Sequence, residues 1–240
     1  MTTSSSSGLF GQSSRTQNYY CIAARFSTII DNINIYAFRC CYSLTKIVIS
    51  NTVTNIGNYA FNECYCLKNI VIPNNVLTIG EYAFCGSGLL NAFLPKGITS
   101  IGRYEFSSCS SLTKVVLPNG IIDIGDTAFT YCYSLKDVII PNSVTTIRGN
   151  AFQQCKSLKN IIIPGSVTTI EDYAFGQCFS LVKYDFSQHT TIPSIGSNTF
   201  YQINNIAKII VPDSLYDEWI ATTSWSTYAD YIYKASEVTA

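Results

Sequence analysis

Apolar and polar positions follow one short phrase that the chain writes again and again. Leu67, Ile70 and Ile72 alternate with Lys68, Asn69 and Val71 and stop at Pro73, and the same L-x-x-I/V-x-I/L pattern opens at Leu44, Leu112, Leu135 and Leu158, and at Leu181 with Tyr184 and Phe186 in the apolar places. Three side chains turned inward and three outward predict a brief β-strand, and the β-branched content suits one stacked in parallel between neighbours. Pro73, Pro95, Pro118, Pro141, Pro164 and Pro212 end these strands by removing a ladder donor, and Asn74, Asn119 and Asn142 favour a turn. After the turn, Val76 with Ile79, Val144 with Ile147 and Val167 with Ile170 set apolar residues three apart, which predicts the back of a coil.

The coil is closed by an Ala-Phe step. Phe38, Phe61, Phe84, Phe106, Phe129, Phe152, Phe175 and Phe200 stand 23, 23, 22, 23, 23, 23 and 25 residues apart. Such a period signals a solenoid, because a unit this small cannot bury its Leu, Ile and Phe except against the next one. The strand phrase is that of a leucine-rich repeat. The two irregular gaps read as loops off the sheet: "AFCGSGLL" loses a residue around Gly86 and Gly88, and "SQHTTIPSIG" gains two.

The recurring "AFxxCxSLxxIxIPxSVTxI" resembles the BspA-like, or Treponema pallidum-type, leucine-rich repeats, over roughly residues 21 to 212. The resemblance implies a surface or secreted protein of the kind found in bacteria and some protozoa, and adhesion to host proteins or other cells. The expected architecture is a leucine-rich repeat solenoid with a parallel β-sheet on one face and short irregular or helical segments on the other. Its parts are a flexible, Ser-rich leader at 1–20, about eight 23-residue repeats at 21–212, and a helical C-terminal cap at 213–240.

Composition narrows the function classes. The 240 residues are 47% hydrophobic, enough for a large core, yet only 12% are charged and the formal net charge is zero. No global field draws the chain to nucleic acid, and Arg is scarce, so nucleic acid is not an expected partner. The aliphatic runs end after a few residues, well short of the roughly 18 to 20 needed for a membrane span. The first twenty residues lack the basic and apolar regions of a secretory signal peptide.

Candidate chemistry is thin. Cys41, Cys64, Cys109, Cys132, Cys155 and Cys178 fall three residues after their Phe, in one column of parallel side chains about 4.8 Å apart, a poor geometry for bridging or for converging on zinc. They read as buried structural thiols; neither a metal nor a cofactor is expected. His189 is the only histidine and reads as a solvated loop residue; Asp185 and Ser187 nearby do not make it a triad. No catalytic residue is assigned, and the protein is expected not to be an enzyme. Tyr36, Tyr59, Tyr82, Tyr104 and Tyr173 form a second column, which reads as a seal on the coil's corner rather than an aromatic binding strip. Glu105 interrupts the column Ala37, Ala60, Ala83, Ala128, Ala151 and Ala174 and must reach solvent or a partner such as Arg103. In the last segment Asp213 or Ser214 can cap a helix whose Leu215, Trp219 and Ile220 share a face, with a carbohydrate-binding Trp pair as the sharper alternative to a plain cap.

The outward strand column is more informative. Val48, Val71, Phe93, Val116, Ile139 and Ile162 should project from the sheet as a continuous aliphatic strip, alongside Lys46, Lys68, Lys114, Lys136, Lys159, Lys183 and Lys208. Glu81, Asp123, Asp126, Glu171 and Asp172 sit on the opposite segment. An exposed apolar strip rimmed by charge marks interaction surfaces. The expected function is a non-catalytic interaction or adhesion module that holds a protein or glycoconjugate partner on Val71, Phe93, Val116, Ile139, Ile162, Lys68, Lys114, Lys136 and Lys159. The alternative is a structural component of a larger assembly, a virion or cell envelope, that self-associates.

Overall fold

Successive coils stack in register, and that single fact converts the sequence offsets into straight lines. The computed structural model describes residues 23–25 and 30–238; the expected leader at 1–20 and Cys21 lie outside them. In chain order the strands are β1 (Ala23–Arg25), β2 (Asn32–Ile33), β3 (Lys46–Val48), β4 (Asn55–Ile56), β5 (Thr78–Ile79) and β6 (Asn91–Phe93). Then follow β7 (Ser100–Ile101), β8 (Lys114–Val116), β9 (Asp123–Ile124), β10 (Asp137–Ile139), β11 (Thr146–Ile147) and β12 (Asn160–Ile162). The last are β13 (Thr169–Ile170), β14 (Lys183–Asp185), β15 (Ser194–Ile195), β16 (Lys208–Val211) and β17 (Ile232–Lys234). Every pairing is parallel, and partners such as Asn91, Lys114 and Asp137, or Asp123, Thr146 and Thr169, are one repeat apart. The whole is a parallel solenoid of about 9 turns, mostly sheet with little helix.

The three-residue strands form the front, as the Leu-x-x-Ile phrase predicts, and Leu67, Ile70 and Ile72 turn inward. Residues 69–71 nevertheless lack regular strand structure, although their phrase is the clearest in the sequence. On the opposite face the expected short segments carry, in addition, a second parallel ladder of two-residue strands ending in Ile. Two residues leave too little signal to separate a strand from a turn, and only the ladder between coils reveals it. At each strand end the Pro carbonyl accepts the N–H three residues on, as with Val76 on Pro73 and Val144 on Pro141, both at 3.0 Å.

The core is a Phe spine. The rings of Phe38, Phe61, Phe84, Phe106, Phe129, Phe152, Phe175 and Phe200 stack with centroids 5.2 to 6.1 Å apart and are essentially inaccessible. Around the spine, a left-handed residue stands two before Phe (Tyr59 φ 58°, Asn150 φ 57°) and another two after it (Glu63 φ 61°, Gln154 φ 59°). These paired reversals bend the chain sharply enough to present Ala and Phe to the core together. Gly86 fills the second reversal in the shortened coil, with φ 69°.

The C-terminal cap is helical, as expected, with a strand added to it. Helices α1 (Tyr216–Ala221) and α2 (Thr223–Ser226) cover the end, and the chain then returns as β17 to lengthen the front sheet beside β16. Asp213 caps no helix; its Oδ1 accepts the N–H of Ser236 at 3.0 Å and ties the two ends of the cap together. Trp219 and Trp225 are fully buried, stacked edge-to-face on Phe186 and on each other, and Trp225 Nε1 donates to the Pro193 carbonyl at 2.9 Å. Neither ring is available to a carbohydrate.

Candidate functional site

The front face carries the surface that the alternation of strand residues implies. Its outward column Val48, Val71, Phe93, Val116, Ile139 and Ile162 is exposed throughout, Val71 to 82% and Ile139 to 78%. Isolated exposed aliphatics are ordinary, but six in adjacent coils on one line form an apolar ridge. At the next coil Asp185 takes the position, paired with Lys183 at 3.3 Å, and beyond it Ile210 is buried beside β17. The ridge therefore ends before the cap.

The lysines do not form one line. Register places Lys46, Lys114, Lys183 and Lys208 at the first strand position, shared with Asn91, Asp137 and Asn160, two residues ahead of the ridge. Lys68, Lys136 and Lys159 stand one residue earlier, at the rim. Because successive strand residues face opposite ways, a one-residue offset sends a lysine to a different place, and only pairing shows which. On the same face the acids are Asp137 and Asp185, so the ridge is bordered by net positive charge.

The acids of the opposite side are partly neutralised. Arg103 pairs with Asp126 at 3.1 Å, and Arg148 with Asp123 at 2.8 Å and Glu171 at 3.6 Å, in exposed bridges that link neighbouring coils. Each is worth little, because water screens exposed pairs.

The Tyr column is a stack, not a platform. Tyr59, Tyr82 and Tyr104 stack face to face at 4.6 and 4.4 Å and Tyr36 leans on Tyr59 at 5.1 Å and 32°, with Arg39 over Tyr36 and Arg103 over Tyr104. Ring faces are thus spent on each other and on guanidinium groups. Tyr173 stands apart and meets Tyr201 edge-on.

The cysteine column has a positive structural role. Cys64, Cys109, Cys132, Cys155 and Cys178 each point Sγ at the carbonyl of Phe38, Phe84, Phe106, Phe129 and Phe152, at 3.1 to 3.3 Å. In the shortened coil Ser87 takes this place, its Oγ 3.3 Å from Cys109 Sγ. Among the described residues no disulfide links two cysteines, and no cluster of His, Cys, Asp and Glu could hold a metal. Among them, too, no helix is long and apolar enough to cross a membrane.

Two expectations fail. His189 is not solvated: it is 3% exposed, against Phe186 and Trp219, and burial pushes its pKa below the usual value. The two inserted residues fold that loop back under the cap, and Gly165 lets it come so close that a Cβ there would lie 2.4 Å from the Gln188 carbonyl. Glu105 reaches neither solvent nor Arg103; it is fully buried, and Arg103 is engaged by Asp126. An ionisable residue in an Ala column was the visible sign, but sequence shows no burial.

A sequence profile of the BspA type leucine-rich repeat region matches the chain in 6 copies, over residues 31–159 and 122–218. The chain belongs to the BspA-type leucine-rich repeat family. Among solved structures, a leucine-rich repeat protein from Bacteroides ovatus is 28% identical with a TM-score of 0.64, over 76% of this chain and 53% of that one. This chain thus spans about half of that relative's length. The T. pallidum leucine-rich repeat protein is also 28% identical, with a TM-score of 0.54 over 82% of this chain and 81% of its own. The pneumococcal vaccine antigen PcpA shares the fold at 18% identity and a TM-score of 0.50, over 86% and 64%. A search among curated protein sequences finds no significant match. BspA-type repeats point to a protein-interaction or surface module, and leucine-rich repeat proteins are generally non-catalytic.

Proposed function

We propose that this BspA-type solenoid is a non-catalytic interaction module of the adhesion class that holds a protein partner on its front face. The carrying observation is the exposed ridge from Val48 to Ile162, six apolar side chains that no part of the described chain covers. Val71, Phe93, Val116, Ile139 and Ile162 supply apolar contact, and Lys68, Lys114, Lys136 and Lys159 supply orientation and encounter rate. A protein is favoured over a glycoconjugate because the ridge is aliphatic apart from Phe93, whereas sugar rings stack on open aromatic faces, and the Tyr59–Tyr104 stack and the Trp pair are already engaged with each other.

The test is a paired variant, Val116→Asp with Ile139→Asp. Both positions are exposed, so circular dichroism and the melting temperature should stay within a few degrees of the parent, since surface substitutions cost little. Affinity purification from cell-surface extracts, backed by direct titration of each captured protein, should lose its specific partner with the variant. Undiminished titration by the variant would refute the front-face assignment. Light scattering separates self-association: a parent that forms larger species which the variant abolishes places a second copy on the same ridge.

A further inference from the structure

The back ladder is interrupted at one place. Elsewhere the N–H after each back-strand Ile donates to the Ile carbonyl of the preceding coil: Gly57 to Ile33 (2.7 Å), Gly80 to Ile56 (2.8 Å), Gly125 to Ile101 (3.0 Å), Arg148 to Ile124 (3.0 Å), Glu171 to Ile147 (2.9 Å) and Gly196 to Ile170 (2.9 Å). Gly102 breaks the series. Its N–H donates instead to Glu105 Oε2, at 2.7 Å, within its own coil. The companion bond seen for Leu77 on Thr54 and for Ile122 on Thr99 is also absent between Thr99 and Leu77. The back sheet accordingly divides into β2-β4-β5 and β7-β9-β11-β13-β15. The coils stand farther apart there: a Cβ on Gly125 would lie 2.4 Å from the Ile101 carbonyl, but one on Gly102 would lie 3.6 Å from that of Ile79.

The corner of the coil crosses the same seam intact. Tyr82 N–H meets the Arg103 carbonyl at 3.1 Å, Phe84 N–H meets that of Glu105 at 2.9 Å, and the Phe84 and Phe106 rings stack at 5.4 Å. The corner is tied while the back is not, and on the front β6 has no strand partner across this seam, where the Leu90 N–H donates to the Lys68 carbonyl at 3.0 Å, so the corner is the axis of a hinge. Inside it sits a carboxyl group where other coils have Ala, with Oε1 buried and unpaired.

We propose that Glu105 is a proton-controlled latch at a hinge between β5 and β7: the neutral acid keeps the seam packed, and ionisation loosens the back of the solenoid about the Phe84–Phe106 corner. No charge stands by to rescue the carboxylate. Arg103 is exposed and committed to Asp126, and none of Glu81, Tyr82 and Cys85 on one side or Asp123 and Asp126 on the other, nor Tyr104 and Cys109 of its own coil, shifts its titration. Burial raises the Glu105 pKa to about 8, offset in part by the Gly102 hydrogen bond. Because the folded value exceeds the ordinary one, stability from this residue is complete below pH about 4.5 and is lost as pH rises toward about 8.

Glu105→Ala restores the residue of the other coils, and Glu105→Gln keeps the shape without the charge, so both should fold. Melting temperature measured from pH 6.5 to 8.5, above the range in which His189 titrates, should fall in the parent and stay nearly level in both variants. Hydrogen exchange, corrected for intrinsic rate, should show protection at residues 77–79 and 99–102 falling about tenfold or more from pH 6 to 8.5 in the parent, but not in Glu105→Gln. Equal slopes in parent and Glu105→Gln overturn the proposal. So does a loss of protection spread evenly along the solenoid, or no change at the seam, since either would leave a buried acid without a hinge.

Discussion

Phe38, Phe84, Phe106, Phe129 and Phe152 turn their carbonyls into the core, where the thiol of the next coil meets each one, as Cys155 meets Phe129 at 3.3 Å. A small, weakly polar donor suits a site too tight for water and too apolar for a stronger group. The same burial silences the thiols as nucleophiles, because only the thiolate reacts. Cys109 and Cys178 are pushed up to about 12 and Cys85 to about 11. Brief alkylation of the native protein at pH 8, followed by peptide mapping, should mark exposed Cys66 first and leave Cys109, Cys132, Cys155 and Cys178 unmodified until denaturant is added. The column was legible in sequence because a fixed offset from Phe survives folding as a fixed direction. Glu105 and His189 were not, since burial depends on what the neighbouring coil or the cap lays over them.

At the scale of the element, the corner rather than the strand imposes the steepest local demand. Left-handed backbone disfavours any side chain with a Cβ by about 1 kcal/mol, yet Tyr, Gln, Ser and Thr hold most of these places, maintained by stacking and by inter-coil bonds such as Gln154 to Gln177 at 2.7 Å. Ser108, at φ 59°, forms no side-chain bond of that kind. Ser108→Gly should therefore raise stability by about 0.5 kcal/mol, and Gly86→Ala should lower it by about 1 kcal/mol or more, the opposite sign from the usual helix or strand comparison. Urea unfolding of the two variants checks both. Front strands announced themselves through period-two alternation. The back strands, at two residues each, lie below the length at which alternation means anything, and residues 69–71 show the reverse failure, a perfect phrase without regular pairing.

For the whole molecule, the open end is the hazard, because the last coil would otherwise show Phe186 and Phe200 to water. Trp219, Trp225 and His189 close it. His189 has a depressed pKa, so its contribution is present above the ordinary value of 6.5 and is lost as pH falls below it. Both tryptophans of the chain lie in this cap, so acid titration followed by Trp fluorescence should show a red shift beginning under pH about 6, absent in His189→Leu. Repeat period, coil stacking, the inward Leu, Ile and Phe, the thiol column and the exposed front ridge were all determined by the sequence itself, because identical units in register turn each offset into a line and each line has one burial. Where lines stop or slip was decided only in three dimensions. The second ladder, the seam at Gly102 and the burial of His189 each depend on contacts between coils, or between coil and cap, and these act across distances that no local pattern records.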